Sequence, residues 1–199
     1  MQKPVQKKVK NKEKSVPTGK SHAHESAHLH VSGEATYVDD LAEQTGTKHI
    51  ALGLSQCACA RIKSLDLSAV KAAKGVVAVL TASDIPGIND CGPIINDDPI
   101  LADGLVQYVG QPLFAVVATS FMAARKAVRH ALVEYDELPA VLDIASAKRE
   151  QSWVIPPMQL QRGNPAKAME SVTHKMRGEF SVGGQEQFYL EGQISYAAP

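Results

Sequence analysis

The stretch Gly110–Gln111–Pro112–Leu113–Phe114–Ala115–Val116–Val117–Ala118 decides the fold class. A turn signal leads into a continuous apolar run of strand length, the pattern of a strand buried on both faces. A helical pattern follows: Ala124, Ala127, Val128 and Ala131 form one stripe, and Arg125, Lys126 and Arg129 cover the other side. Val133 and Tyr135 then continue into another strand.

The same grammar stands upstream. Ile50, Leu52 and Leu54 alternate with His49, Ala51 and Gly53, which predicts a half-buried strand. Ala60 to Leu67 is a second strand, with Arg61 and Lys63 on one face. Ser68 suits an N-cap, Ala69 to Lys74 a short helix, and Gly75 its stop. Val76 to Leu80 is β-branched and continuous, so a buried strand is expected. Two strand–helix–strand units thus lie between about Lys48 and Asp136, enough for an independent core. The fold class is α/β in the broad sense that includes α+β.

Outside this core the pattern loosens. Asp84 to Pro99, rich in Pro, Gly, Asn and Asp, reads as loop. From Leu138 to Pro165 prolines interrupt regular structure, leaving a short helix near Ile144 to Glu150 and Trp153 as an anchor on the core. Asn164 or Pro165 opens a helix through Met169, and Arg177 to Val182 reads as a strand. The expected organisation is a basic disordered tail over 1–20, a domain over 21–140, a connector over 141–165 and the start of a further domain over 166–199.

Composition narrows the function classes. With 44% hydrophobic and 21% charged residues the chain is an ordinary globular sequence. Its longest apolar runs are too short to span a bilayer, and no secretory signal opens it. A cytoplasmic location is expected, with no membrane partner. Formal net charge is zero, but Lys3, Lys7, Lys8, Lys10, Lys12, Lys14 and Lys20 face only Glu13 in the first twenty residues. No arginine or interleaved aromatic accompanies them, so a solvated tail is expected rather than a nucleic-acid arm.

Three places invite a metal-site reading. His22, His24, His28 and His30 share no single local geometry, and an extended polar lead-in is expected there. Cys57 and Cys59 would share a strand face but lack a second pair to complete a tetrahedral site; with Cys91 they are expected as reduced thiols. Asn96, Asp97 and Asp98 lack the spacing of a calcium loop. Glu34, Asp39 and Asp40 have no neighbours to separate their pKa values, and a turn with capping carboxylates is expected. No Ser/His/Asp constellation or phosphate loop is present.

One stretch points to a site: Gly183–Gly184–Gln185–Glu186–Gln187–Phe188–Tyr189–Leu190–Glu191. Paired glycines permit close backbone approach, Gln185 carries an amide, and Phe188, Tyr189 and Leu190 supply bulk to hold the turn on a core. This stretch resembles the segment that opens the molybdopterin-binding region of xanthine dehydrogenases and aldehyde oxidases. Gly33–Glu34–Ala35–Thr36–Tyr37–Val38–Asp39–Asp40, Ala60 to Asp66 and Val133 to Ala140 resemble further blocks of that family, in the same order. The resemblance runs from about Gly19 to Pro199.

The resemblance implies an α/β hammerhead domain over 21–140 followed by the truncated start of the molybdopterin-binding domain. It implies purine or aldehyde hydroxylation with oxygen from water, for which xanthine and hypoxanthine are the expected substrates. Gln185 matches the glutamine beside the molybdenum's oxo ligand, which its amide would touch by a hydrogen bond without ligating the metal, and Gly183 and Gly184 would give it clearance. The 2Fe–2S centres and FAD would sit on other domains or subunits, as partners, and none of the three cysteines is assigned to a cluster. The glutamate base and the substrate-orienting arginine of the family lie beyond Pro199, so the isolated chain is expected to be inactive. On this resemblance the lysine-rich start would take the place of the flavin domain of single-chain relatives, and a multi-subunit arrangement is expected. The rival reading is a non-catalytic hammerhead module for subunit assembly or partner binding. A strand ending at Pro199 would lack partners and leave an open edge.

Overall fold

The computed structural model describes residues 18–189 and 192–198. These fall into two compact units, one made of the residues before Glu43 with those from Gly183 onward, the other Glu43–Val182. The tail expected over 1–20 lies almost wholly outside the described residues.

In the first unit the helix α1, Ala27–Ser32, ends at Gly33, whose φ of 78° puts it in the left-handed region. The expected extended lead-in holds only as far as His22 and His24, which precede the helix in irregular chain; His28 and His30 sit on it. The turn reading of the next block holds. Val38–Asp40 is a single 3-10 turn, and the Asp40 carboxylate accepts a 2.9 Å hydrogen bond from the Tyr37 amide.

The second unit carries the core. Its elements in chain order are β1 (His49–Leu54), β2 (Ala60–Asp66), α2 (Ser68–Lys71), β3 (Val76–Leu80), β4 (Leu105–Val106), β5 (Pro112–Ala118), α3 (Phe121–Val128), β6 (Leu132–Glu137) and α4 (Ile144–Glu150), followed by α5 (Pro165–Ser171). Successive strands alternate between two three-stranded sheets, ordered β1–β5–β3 and β4–β2–β6, and every ladder is antiparallel. The two strand–helix–strand units are there in order, yet neither is a parallel crossover. Each hands the chain from one sheet to the other.

The apolar run of β5 makes it the central strand of its sheet, with Val116 opposite both Ala51 and Val79. Helix α3 covers one side of this sheet with Ala124 and Ala127, both buried, and Val70 of α2 joins the same core. Small side chains on α3 let its backbone come close to the strands. The Ser120 side chain caps α3 by accepting from the Ala123 amide at 3.2 Å. Gly75, with φ of 86°, turns the chain into β3; a Cβ there would stand 3.0 Å from Thr119 Oγ1.

Several local expectations change. Helix α2 is a single turn, and Ser68 lies inside it rather than capping it; its amide donates to Asp66 Oδ1 at 2.9 Å instead. Strand β3 is half-buried because it is an edge strand with a register shift between Val76 and Ala78. In β1 the buried side holds Ala51 and Gly53, while Ile50, Leu52 and Leu54 are exposed. Phe114 already fills the space beneath β1, so only small residues fit there. Trp153 is half exposed and anchors nothing in the core cluster. Residues 177–182 form no strand, because nothing among the described residues pairs with them.

Candidate functional site

Gly183 to Tyr189 is exposed and irregular, with no ladder to either sheet. Neither Gly183 nor Gly184 has a positive φ, and an added Cβ on either would meet nothing within 4 Å. The local backbone does not itself demand glycine at either position. What the pair leaves is open space on that side of the chain. Gln185 is exposed, and its amide has no hydrogen-bond partner among the described residues. The aromatic support expected behind the turn is absent: Phe188 is 93% exposed, with φ of 50°. Tyr189 Oη accepts a 2.6 Å hydrogen bond from Gln193 Nε2. Leu190 and Glu191, the end of the motif, lie outside the described residues.

Two grooves lie within the second unit. A shallow groove of about 490 Å³ is lined by Lys74, Gly75, Thr119, Ser120, Lys126 and His130. Another, of about 380 Å³, is lined among others by Ile62, Lys63, Thr81, Asn89 and Asp103.

Perturbed titrating groups are a usual pointer to chemistry. Here each has a structural cause. Asp66, Asp84 and Asp143 are held below their ordinary carboxylate value first by backbone amides, of Ser68, Thr81 and Ser146 respectively. All three are turn or helix caps. The Cys91 thiol is pushed up, foremost by desolvation and then by Asp98, whose carbonyl oxygen also accepts from Cys91 Sγ at 3.3 Å. Cys91 is exposed by surface area, so the charge of Asp98 and its neighbour Asp90 is the better physical reason. Cys57 and Cys59 are free and partly buried, in the loop between β1 and β2 and not on a strand. Among the described residues no three His, Cys, Asp or Glu side chains converge on a metal position. His30 Nδ1 instead meets Tyr37 Oη at 3.1 Å. No helix among them is long and apolar enough to cross a membrane.

Two side chains that sequence reasoning passed over hold the loops together. Gln111, 1% exposed, accepts from the Gln107 amide through Oε1 at 2.7 Å, and its backbone carbonyl accepts from the Ser55 amide at 2.8 Å. Asn89 bridges to Leu101 both ways, Nδ2 to the carbonyl at 2.7 Å and Oδ1 from the amide at 3.0 Å. Each lies in a turn-rich stretch, where the sequence signals a bend but not which amide it buries.

Residues 32–139 match the family described as "Aldehyde oxidase and xanthine dehydrogenase, a/b hammerhead domain". The chain is 40% identical over 176 residues to a xanthine dehydrogenase of Dictyostelium discoideum, covering 88% of this chain and 13% of that protein. It is 41% identical over 184 residues to aldehyde oxidase 2 of Cavia porcellus, covering 92% of this chain and 14% of that one. In fold it is similar to the CO dehydrogenase of Oligotropha carboxidovorans, with a TM-score of 0.55 and 32% identity over 65% of this chain and 16% of that chain. It therefore spans only a small part of the length of the relatives it matches. The chain belongs to the aldehyde oxidase and xanthine dehydrogenase family, and carries that family's a/b hammerhead domain.

Proposed function

We propose that this chain is part of a molybdenum hydroxylase acting on xanthine and hypoxanthine, to which it contributes the hammerhead domain and a single cofactor contact, Gln185. The observation that carries the reading is the reach of the likeness: the match to a xanthine dehydrogenase covers 88% of the chain, well beyond the hammerhead. The residues present suit a contact and not a complete holding site. An exposed amide offers two N–H donors to an oxygen acceptor, and the open side of Gly183 and Gly184 leaves room for a bulky group to approach. No converging ligand set accompanies them among the described residues.

A molybdenum–molybdopterin centre, when bound, supplies the two-electron oxidation that hydroxylates a purine with oxygen from water. Gln185 would orient and polarise that centre by hydrogen bonding alone, without ligating the metal. The remaining contacts, with the 2Fe–2S and FAD groups, belong to other domains or subunits of a cytoplasmic assembly. The isolated chain binds no molybdenum firmly and turns over no substrate.

The test is Gln185→Ala in the assembled enzyme, reading molybdenum per subunit and xanthine oxidation. Reduced occupancy or turnover is expected, and wild-type values of both would remove Gln185 from the site.

A further inference from the structure

Cys57 and Cys59 flank Ala58 in the loop that carries the chain from β1 in one sheet to β2 in the other. Both thiols are free and partly buried. On a strand, side chains two residues apart share a face and their Cα atoms stand about 6.6 Å apart. That is just inside the roughly 6.8 Å that a disulfide spans at most. Here the chain is not a strand but bends at Ala58 and Cys59. A bent segment reaches less per residue than an extended one, which brings the pair within range of an S–S bond.

Hydrogen bonds fix the backbone on either side of Ala58. The buried Ser55 hydroxyl accepts from the Cys57 amide at 3.1 Å and donates to the Cys57 carbonyl at 3.0 Å. The Cys59 carbonyl accepts from the Leu138 amide, just past the end of β6, at 2.9 Å. Cys57 Sγ itself is held only by a contact of 4.0 Å to Glu137 Oε1, the far limit of a thiol hydrogen bond. The main chain is thus pinned while the thiol is barely tied.

Cys91 is not equivalent. It is exposed, and its Sγ donates to the Asp98 carbonyl at 3.3 Å. Desolvation and the charges of Asp98 and Asp90 disfavour the thiolate that exchange requires. Nor do Cys57 and Cys59 make a metal site, since no third ligand converges among the described residues. A disulfide closed across one residue restrains the unfolded chain very little, so its use is chemical and not structural. Closure of so small a ring is strained, and strained disulfides are the ones that form and reopen by exchange.

We infer that Cys57 and Cys59 form a dithiol exchange site whose co-substrate is a small soluble disulfide of the glutathione class. One cysteine thiolate attacks a sulfur of the small disulfide, whose S–S bond breaks and releases one thiol. The other cysteine thiolate attacks the mixed disulfide so formed, makes the Cys57–Cys59 bond and releases the second thiol. Two electrons pass from the protein to the small disulfide, and the two cysteine protons end on the released thiols. The site is independent of Gln185 and of the function proposed above.

To test it, the reduced 199-residue chain is equilibrated with oxidised and reduced glutathione at several ratios. Remaining thiols are alkylated and the peptides read by mass spectrometry. The expected product is a Cys57–Cys59 linkage, lighter than the dithiol by two hydrogens, with Cys91 alkylated. Cys57→Ser and Cys59→Ser should each stop at a glutathione adduct on the remaining cysteine of the pair, and Cys91→Ser should match wild type. Circular dichroism checks that the reduced variants are folded. A second measurement needs only the wild type: because the pinned backbone has little freedom left to lose, closure should be at least tenfold more favourable in the folded chain than in the same chain in urea. Equal closure in both would show that the fold does not present the pair, and would overturn the inference. So would a linkage to Cys91, a disulfide between two copies, or glutathione adducts that never close.

Discussion

Gly53 of β1 and Phe114 of β5 are cross-strand partners, packed so closely that a Cβ on Gly53 would overlap Cε1 and Cζ of the ring. The ring, almost fully buried, occupies the place that a side chain at position 53 would otherwise take. Gly53→Ala should therefore destabilise the second unit by about 1–3 kcal/mol through overpacking. Phe114→Leu in the same chain should relieve part of that loss, so the two substitutions are non-additive. Urea unfolding of the four forms measures the coupling. A neutral Gly53→Ala would mean that the ring is not packed under β1.

Gln111 offers a second test. Replacing it by Leu keeps the volume but removes the acceptor of the Gln107 amide in a part-buried turn. An unmade hydrogen bond of this kind costs about 1–3 kcal/mol. Thermal unfolding should show the loss, and the Gln107 amide should exchange with solvent faster than in the wild type. An unchanged exchange rate would show that water already reaches that amide.

Acid sensitivity follows from the caps. The Asp84 carboxylate accepts from the Thr81 amide at 2.7 Å and the Thr81 hydroxyl at 2.8 Å, and these bonds hold its pKa below the ordinary 3.8. A carboxyl depressed in the folded state stabilises fully above its unfolded value, and loses that contribution as pH falls through the folded value. The stability gap between wild type and Asp84→Ala should therefore be constant at neutral pH and narrow below pH 3.8. Unfolding midpoints taken from neutral to strongly acid pH give the answer; a gap that widens on acidification would contradict the cap.

How much of this was legible in advance depends on the range of the interaction. Strand β5, helix α3 and the turn at Gly75 could be read directly, because apolar period, cap and positive-φ glycine act within a few residues. The face of β1 could not. Alternation gives two sides, and whether Ile50 or Ala51 is covered depends on Phe114, distant along the chain. The second half of the histidine stretch became a helix because residues 27–32 close their own hydrogen bonds and end on Gly33. Residues 177–182 had strand character but no neighbour, and a strand without a partner is not a strand. At the candidate site Gln185 was nameable by resemblance alone; its exposure and the open space beside the two glycines came from the coordinates.

The amino-acid order by itself determined the succession β1–β2–α2–β3 and β5–α3–β6 and the family, since both are written in short blocks whose meaning is local. Only the tertiary structure decided that successive strands alternate between two antiparallel sheets and that β1 shows its bulky side chains outward. Pairing and coverage are set by which distant segments meet, and no window of neighbouring residues holds that information.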